Sequence, residues 1–303
     1  MPTLTVIVPA TDRPPTLDRC LAAIGAANEP PERVVVVDES PGPGPAAARN
    51  KGGTGVDADV LVFVDADVEV HQDAFVRIRR AFERDAGLGA VFGSYDDAPP
   101  APGLVSGFRN LLHHHVHQAA AGPASTFWAG IGAMRREVFE AHGGFDAERY
   151  PRASIEDIDL GCRVAAAGTR IELDPRLLGT HLKSWTLRSM VETDFSRRGA
   201  PWVALMLGSD ANRSALNLGW RHRASAAAVL IGSLAAGRGR RGTAAAALAT
   251  LLVLNRAFYL LLLRRRGPVE AVAGVGLHVL HHATGIAAVP AGILLHLRER
   301  RRG

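Results

Sequence analysis

Apolar and polar positions alternate with two periods over the first hundred residues of the chain. Short apolar runs at residues 3–8, at Arg33 to Asp38 with its four consecutive valines, at Val60 to Val64 and at Gly89 to Tyr95 read as strands. Between them, residues 15 to 27 carry Leu17, Cys20, Leu21 and Ile24 at helical spacing, a short helix starts near Ala46 and ends at Gly52-Gly53, and another covers about 72 to 85. Pro41-Gly42-Pro43-Gly44-Pro45 excludes regular structure in that stretch. Strand and helix alternate, which predicts an α/β domain with a parallel or mostly parallel sheet and helices on both faces.

The pattern loosens from about 99 to 130, then resumes as a helix from Glu137 to Ala141, a helix from the Ser154 to Asp159 segment to Ala167, and a short strand at Ile171 to Leu173. Ser154, three residues before Asp157, reads as a helix cap. From residue 221 the composition turns apolar in three stretches, roughly 224 to 236, 243 to 263 and 271 to 297, each bounded by arginines such as Arg238, Arg240, Arg241, Arg264 to Arg266 and Arg298 to Arg302. The first is too short to cross a hydrocarbon core of about 30 Å. In the second, ten Leu, Val or Phe at about −0.3 to −0.6 kcal/mol each offset Arg256 at about +2.5 to +3.5. In the third, His278, His281, His282 and Pro290 are untypical of a span. The expectation is a domain at 1–220 and membrane-associated helices at 221–303. Spans over the second and third stretches best satisfy the positive-inside rule and leave the amino-terminal domain in the cytoplasm at the cell membrane.

The net charge of +5 and pI near 9.8 come almost wholly from Arg, with Lys only at 51 and 183. Because those arginines flank apolar stretches and no aromatic residues interleave them, the composition points to a membrane and away from nucleic acid. Cys20 and Cys162 are too few for a disulfide framework or zinc ribbon, and a reducing compartment fits. No charged leader followed by an apolar stretch precedes the first strand, so no cleaved signal peptide is expected.

The chemistry begins at Asp65-Ala66-Asp67, which closes the apolar run from Val60. Carboxylates at the carboxyl end of a buried strand lie where open α/β sheets bind ligands. Mg²⁺ or Mn²⁺ commonly takes one or two carboxylates together with substrate phosphates. The pair therefore suggests a nucleotide-dependent enzyme, a weak signal alone that its company strengthens.

In order and spacing, the motifs over residues 3 to 202 resemble those of the family 2 glycosyltransferases, which share the GT-A fold. Thr5 to Ala10 resembles the opening strand, Val35 to Asp38 the second, Ala48-Arg49-Asn50-Lys51-Gly52 the segment before the metal motif, Asp65-Ala66-Asp67 the Asp-x-Asp motif and Ile155-Glu156-Asp157 the Glu-Asp motif. The resemblance implies a GT-A nucleotide-sugar-binding domain and an inverting, metal-dependent sugar transfer from a UDP-, GDP- or dTDP-sugar to a lipid or lipid-linked acceptor. Donor contacts are expected at Pro9, Ala10, Asp38, Arg49, Asn50, Asp65 and Lys183. Asp65, Asp67 and His181 are expected to hold Mg²⁺ or Mn²⁺. Asp157 is the expected general base, with Glu156 holding the acceptor or fixing Asp157. His117, Trp128, Gly130 and Trp185 are expected on the acceptor side. Adjacent histidines on a helix diverge, so His113, His114, His115 and His117 cannot share one ion, and His117 is the one expected to turn inward. Phe195 to Trp202 departs from the motif of processive polymerases, which favours a single transfer.

Overall fold

The computed structural model describes residues 1–39, 42–208 and 219–301. Pro41 of the Pro-Gly segment and Arg302 lie outside them. Two compact units divide the chain, the first formed by Met1–Pro100 with His117–Lys183 and the second by Ala101–Val116 with Ser184–Gly303.

The first unit is a mixed α/β sheet. Its strands are β1 (Leu4–Pro9), β2 (Arg33–Val37), β3 (Val60–Val64), β4 (Val68–Val70), β5 (Leu88–Tyr95), β6 (Gly122–Ala124), β7 (Ile131–Arg135) and β8 (Arg170–His181), in the order β2-β1-β3-β7-β5-β8-β4, with β6 pairing β8. Pairs β1/β2, β1/β3 and β5/β8 are parallel, whereas β7 runs antiparallel to β3 and β5. The carboxyl ends of β1, β2 and β3 therefore lie side by side. All five residues of β3 are buried, as its continuous apolar run requires.

Helices α1 (Leu17–Ala26), α2 (Gly44–Gly53), α3 (Ala74–Arg84), α5 (Arg136–Ala141) and α6 (Glu156–Ala166) connect the strands, and α4 (Leu104–Ala119) occupies the stretch whose pattern loosens in the sequence. α2 begins at Gly44, with Pro45 in its first turn, where the missing N–H costs no helical bond. Gly52 lets that helix approach β1, since a Cβ there would stand 2.6 Å from a methyl carbon of Ile7. The residue at the N-cap position of α6 is Ile155, without a side-chain bond, and the Ser154 N–H just before it donates to Glu156 Oε2 at 2.8 Å.

The second unit is helical, with α7 (Leu187–Glu192), a π-helical segment at Thr193–Gly199, α8 (Ala200–Gly208), α9 (Trp220–Gly237), α10 (Arg241–Leu254) and α11 (Arg256–Glu299). Phe108, Leu111, Met190, Phe258 and Leu262 form its apolar centre. Buried Arg109 pairs with Asp194 at 2.8 Å, and His281 Nδ1 lies 2.8 Å from the same carboxylate.

The expected span over 243 to 263 is corrected here. α10 stops at Leu254 because Asn255 leaves helical geometry and its amide donates to Ser225 Oγ and Leu251 O. Its 14 residues reach about 21 Å, short of a bilayer core. Among the described residues one helix, Arg256–Glu299, has the length and composition to cross a membrane, although Gly267, at φ 81°, breaks it near its start.

Candidate active site

β1 and β2 end together, with Pro9 paired to Val37, the residue before Asp38. The Ala10 N–H donates to Val37 O at 2.8 Å, and exposed Asp38 pairs with Arg13 at 3.1 Å. Asp65 follows β3 and begins a turn closed by the Val68 N–H on Asp65 O at 2.9 Å, and its own N–H donates to Gly130 O at 3.1 Å. The turn feeds β4, whose antiparallel pairing with β8 sets Val68 opposite His181. That pairing brings His181 Nε2 to 3.5 Å from Asp67 Oδ2. Lys183 is exposed, and together with His181 its charge holds the Asp67 carboxyl below its ordinary range against the upward push of burial.

Arg49, 4 % exposed, joins this corner to α6: it donates to Asp65 Oδ1 at 2.6 Å and to Glu156 Oε1 at 2.9 Å. Glu156 is equally buried and ties Arg49 to the start of α6. Asn50 is expected at the donor, but its amide donates to Phe145 O at 2.7 Å and accepts from Phe145 N–H at 2.9 Å, pinning a loop 95 residues away.

Asp157, in the first turn of α6, accepts from Ala129 N–H at 3.1 Å and Ile158 N–H at 2.8 Å. Burial and the neighbouring Glu156 push its carboxyl up to about 6, against the pull of Arg49 and these N–H groups. Gly161, one turn on, makes this placement possible, because a Cβ there would meet Phe127 N at 2.0 Å. Gly161→Ala is therefore expected to displace α6, costing about 1–3 kcal/mol of stability and most of the transfer activity, as thermal melts and turnover would show.

His117 turns inward as expected, 4 % exposed with Nδ1 2.9 Å from Gly93 O. Its ring meets Trp128 edge-on, and Trp128 meets Tyr95 in the same manner. Gly130 makes room for Trp128, since a Cβ there would stand 2.2 Å from the indole. Trp185 falls in the second unit, where its main-chain N–H donates to Ser106 Oγ and Arg109 lies over its ring. Tyr95, read in the sequence only as the end of a strand, stacks flat on His181.

The carboxylates of Asp65 and Asp67 and the imidazole of His181 offer the oxygen and nitrogen donors that a divalent cation such as Mg²⁺ or Mn²⁺ takes. Among the described residues no three His, Cys, Asp or Glu side chains are grouped to hold a metal ion.

The fold and this chemistry define a nucleotide-sugar glycosyltransferase of the GT-A class. The model for glycosyl transferase family 21 matches residues 31–282, and the chain belongs to that family. The resemblance to family 2 thus resolves into family 21 of the same GT-A clan. Among solved structures, the chain is similar to the mannosyltransferase PcManGT from Pyrobaculum calidifontis in complex with GDP-Man and Mn²⁺, at 18 % identity, with 96 % of this chain and 87 % of that one covered and a TM-score of 0.58. It also matches S. aureus TarS 1–349 at 13 % identity, over 94 % and 90 % of the two chains, TM-score 0.46. GalNAc-T7 with UDP, GalNAc and Mn²⁺ matches at 15 % identity, over 61 % and 44 %, TM-score 0.47. No curated protein sequence matches.

Proposed function

We propose that the protein is an inverting, metal-dependent glycosyltransferase that moves a sugar from a UDP-, GDP- or dTDP-sugar to a hydroxyl or phosphate of a lipid or lipid-linked acceptor. The observation that carries this reading is the Asp157 carboxyl, tuned to about 6 and linked through Glu156 and Arg49 to Asp65. A base with that affinity is ionised at neutral pH yet still takes a proton. The acceptor O–H proton passes to Asp157 as the oxygen attacks C1 of the sugar, the C1–O bond to the diphosphate breaks, and its electron pair leaves with the diphosphate. Attack from the opposite face inverts the anomeric centre.

Asp67, His181 and Asp65 would hold Mg²⁺ or Mn²⁺, which supplies charge neutralisation for the departing diphosphate. Pro9, Ala10 and Asp38 frame the nucleoside side, and Lys183 adds positive charge beside Asp67. The neighbour holding GDP-Man and Mn²⁺ supports a nucleotide sugar with this ion. Residues 1–220 form the transferase and 221–303 associate with the cell membrane from the cytoplasmic side. Exposed Leu230, Ile231 and Leu234 on α9, Val253 on α10, and Val272 and Leu294 on α11 support that association, as do the arginines at the helix ends.

A thermal-shift screen of UDP, GDP and dTDP with and without Mn²⁺ tests the reading. One nucleotide is expected to raise the melting temperature only with the ion, since a ligand specific to the folded state stabilises it. Release of that diphosphate from its sugar conjugate should follow. Pyrophosphate as the product would instead indicate nucleotidyl transfer.

A further inference from the structure

Four rings form a column that ends on His181. The His181 ring lies parallel to Tyr95, with centroids 4.1 Å apart and planes 9° apart. Tyr95 is met edge-on by Trp128 at 4.8 Å and 89°, and Trp128 by His117 at 5.2 Å and 86°. His117 is tied to the main chain at Gly93 O. Tyr95, His117 and His181 are each less than a tenth exposed, so the column is packed into the domain.

An imidazole offers its lone pair in the plane of the ring. Whatever fixes that plane therefore fixes the direction in which Nε2 faces an ion. Hydrogen bonds commonly do this; here a flat aromatic face is available to do it. We infer that Tyr95 is a positioning residue: it holds the His181 ring in the plane that aims Nε2 at the Asp67 corner, with Trp128 as its buttress. This rests on the reading of His181 as a metal-side residue. Trp128 immediately precedes Ala129, whose N–H holds Asp157 Oδ2 at 3.1 Å. The buttress of the metal-side imidazole and the holder of the base are thus consecutive residues of one segment.

The test titrates the full-length protein with MnCl₂ in the presence of UDP, GDP or dTDP in turn, reading free Mn²⁺ by electron paramagnetic resonance. Tyr95→Leu is expected to weaken Mn²⁺ binding about 10- to 100-fold, the usual consequence of losing support for a metal-ligating histidine. Tyr95→Phe, which keeps the ring, is expected to restore it, and His181→Ala combined with Tyr95→Leu should lose no more than His181→Ala alone. If Tyr95→Leu fails to fold, Tyr95→Met takes its place as a ringless side chain of comparable reach. Wild-type Mn²⁺ affinity in a folded ringless variant, with His181→Ala weakened, would overturn the role of Tyr95 and leave the metal reading standing. Wild-type affinity in His181→Ala would overturn both.

Discussion

Asp157→Asn is expected to lower transfer by about 10²–10⁴-fold, the range of a positioned general base. The melting-temperature rise produced by nucleoside diphosphate with Mn²⁺ should persist in that variant. The asparagine retains an oxygen for the Ala129 or Ile158 N–H, so α6 keeps its start while the proton acceptor is lost. Full activity in the variant would remove Asp157 from the mechanism.

The same carboxyl sets the pH dependence. With its folded value raised from 3.8 to about 6, transfer should rise as pH passes through about 6 and then level off. For stability the sign is opposite. Between about 4 and 6 the folded protein holds a proton that the unfolded chain has released, so ionisation of Asp157 lowers stability as pH rises through that window. Asp157→Asn should therefore melt higher than wild type at pH 8, by about 1–2 kcal/mol given partial solvent screening, with the gain vanishing near pH 4. Calorimetry at the two pH values checks it.

Strands with continuous apolar runs, and the acidic pair that closes one of them, were legible because burial on both faces dictates composition. β4, β6 and β7 were not. β4 and β6 have three residues each, too few for a period. β7 contains Gly132, where a Cβ would meet Trp128 O at 2.3 Å and the Phe127 ring at 2.6 Å, so space for those neighbours outweighs strand preference. Missing β7 made the sheet look more uniformly parallel than it is. Only the pairing of the first residue of β4, Val68, with the last residue of β8, His181, brings Asp67 to that imidazole, so the proximity follows from the resemblance and not from spacing. Asn255 shows the reverse error: the hydropathy of 243 to 263 is continuous, but the amide's bond to Ser225, 30 residues earlier, ends the helix. The link between Arg49 and Glu156 joins residues 107 apart and leaves no local pattern.

That link carries the largest expected stability effect. Arg49→Met removes the buried cation shared by Asp65 and Glu156, and Glu156, 4 % exposed, is left with the Ser154 N–H against the full cost of burying its charge. Breaking one side of a buried ion pair costs about 3–5 kcal/mol. Combining Arg49→Met with Glu156→Gln should recover a large part of that loss, because the neutral amide no longer needs the guanidinium, and a double-mutant cycle by chemical denaturation measures the coupling. Activity should not recover with stability. Asp65 still lacks its 2.6 Å partner in the double variant, and with Arg49 absent an opposing charge no longer holds the Asp157 carboxyl down. In the single variant, which keeps the Glu156 charge, the acidic limb of the pH–rate profile should therefore move to higher pH. An unshifted limb would show that Arg49 serves the fold alone; a shifted one would show that this cation both closes the core and tunes the base.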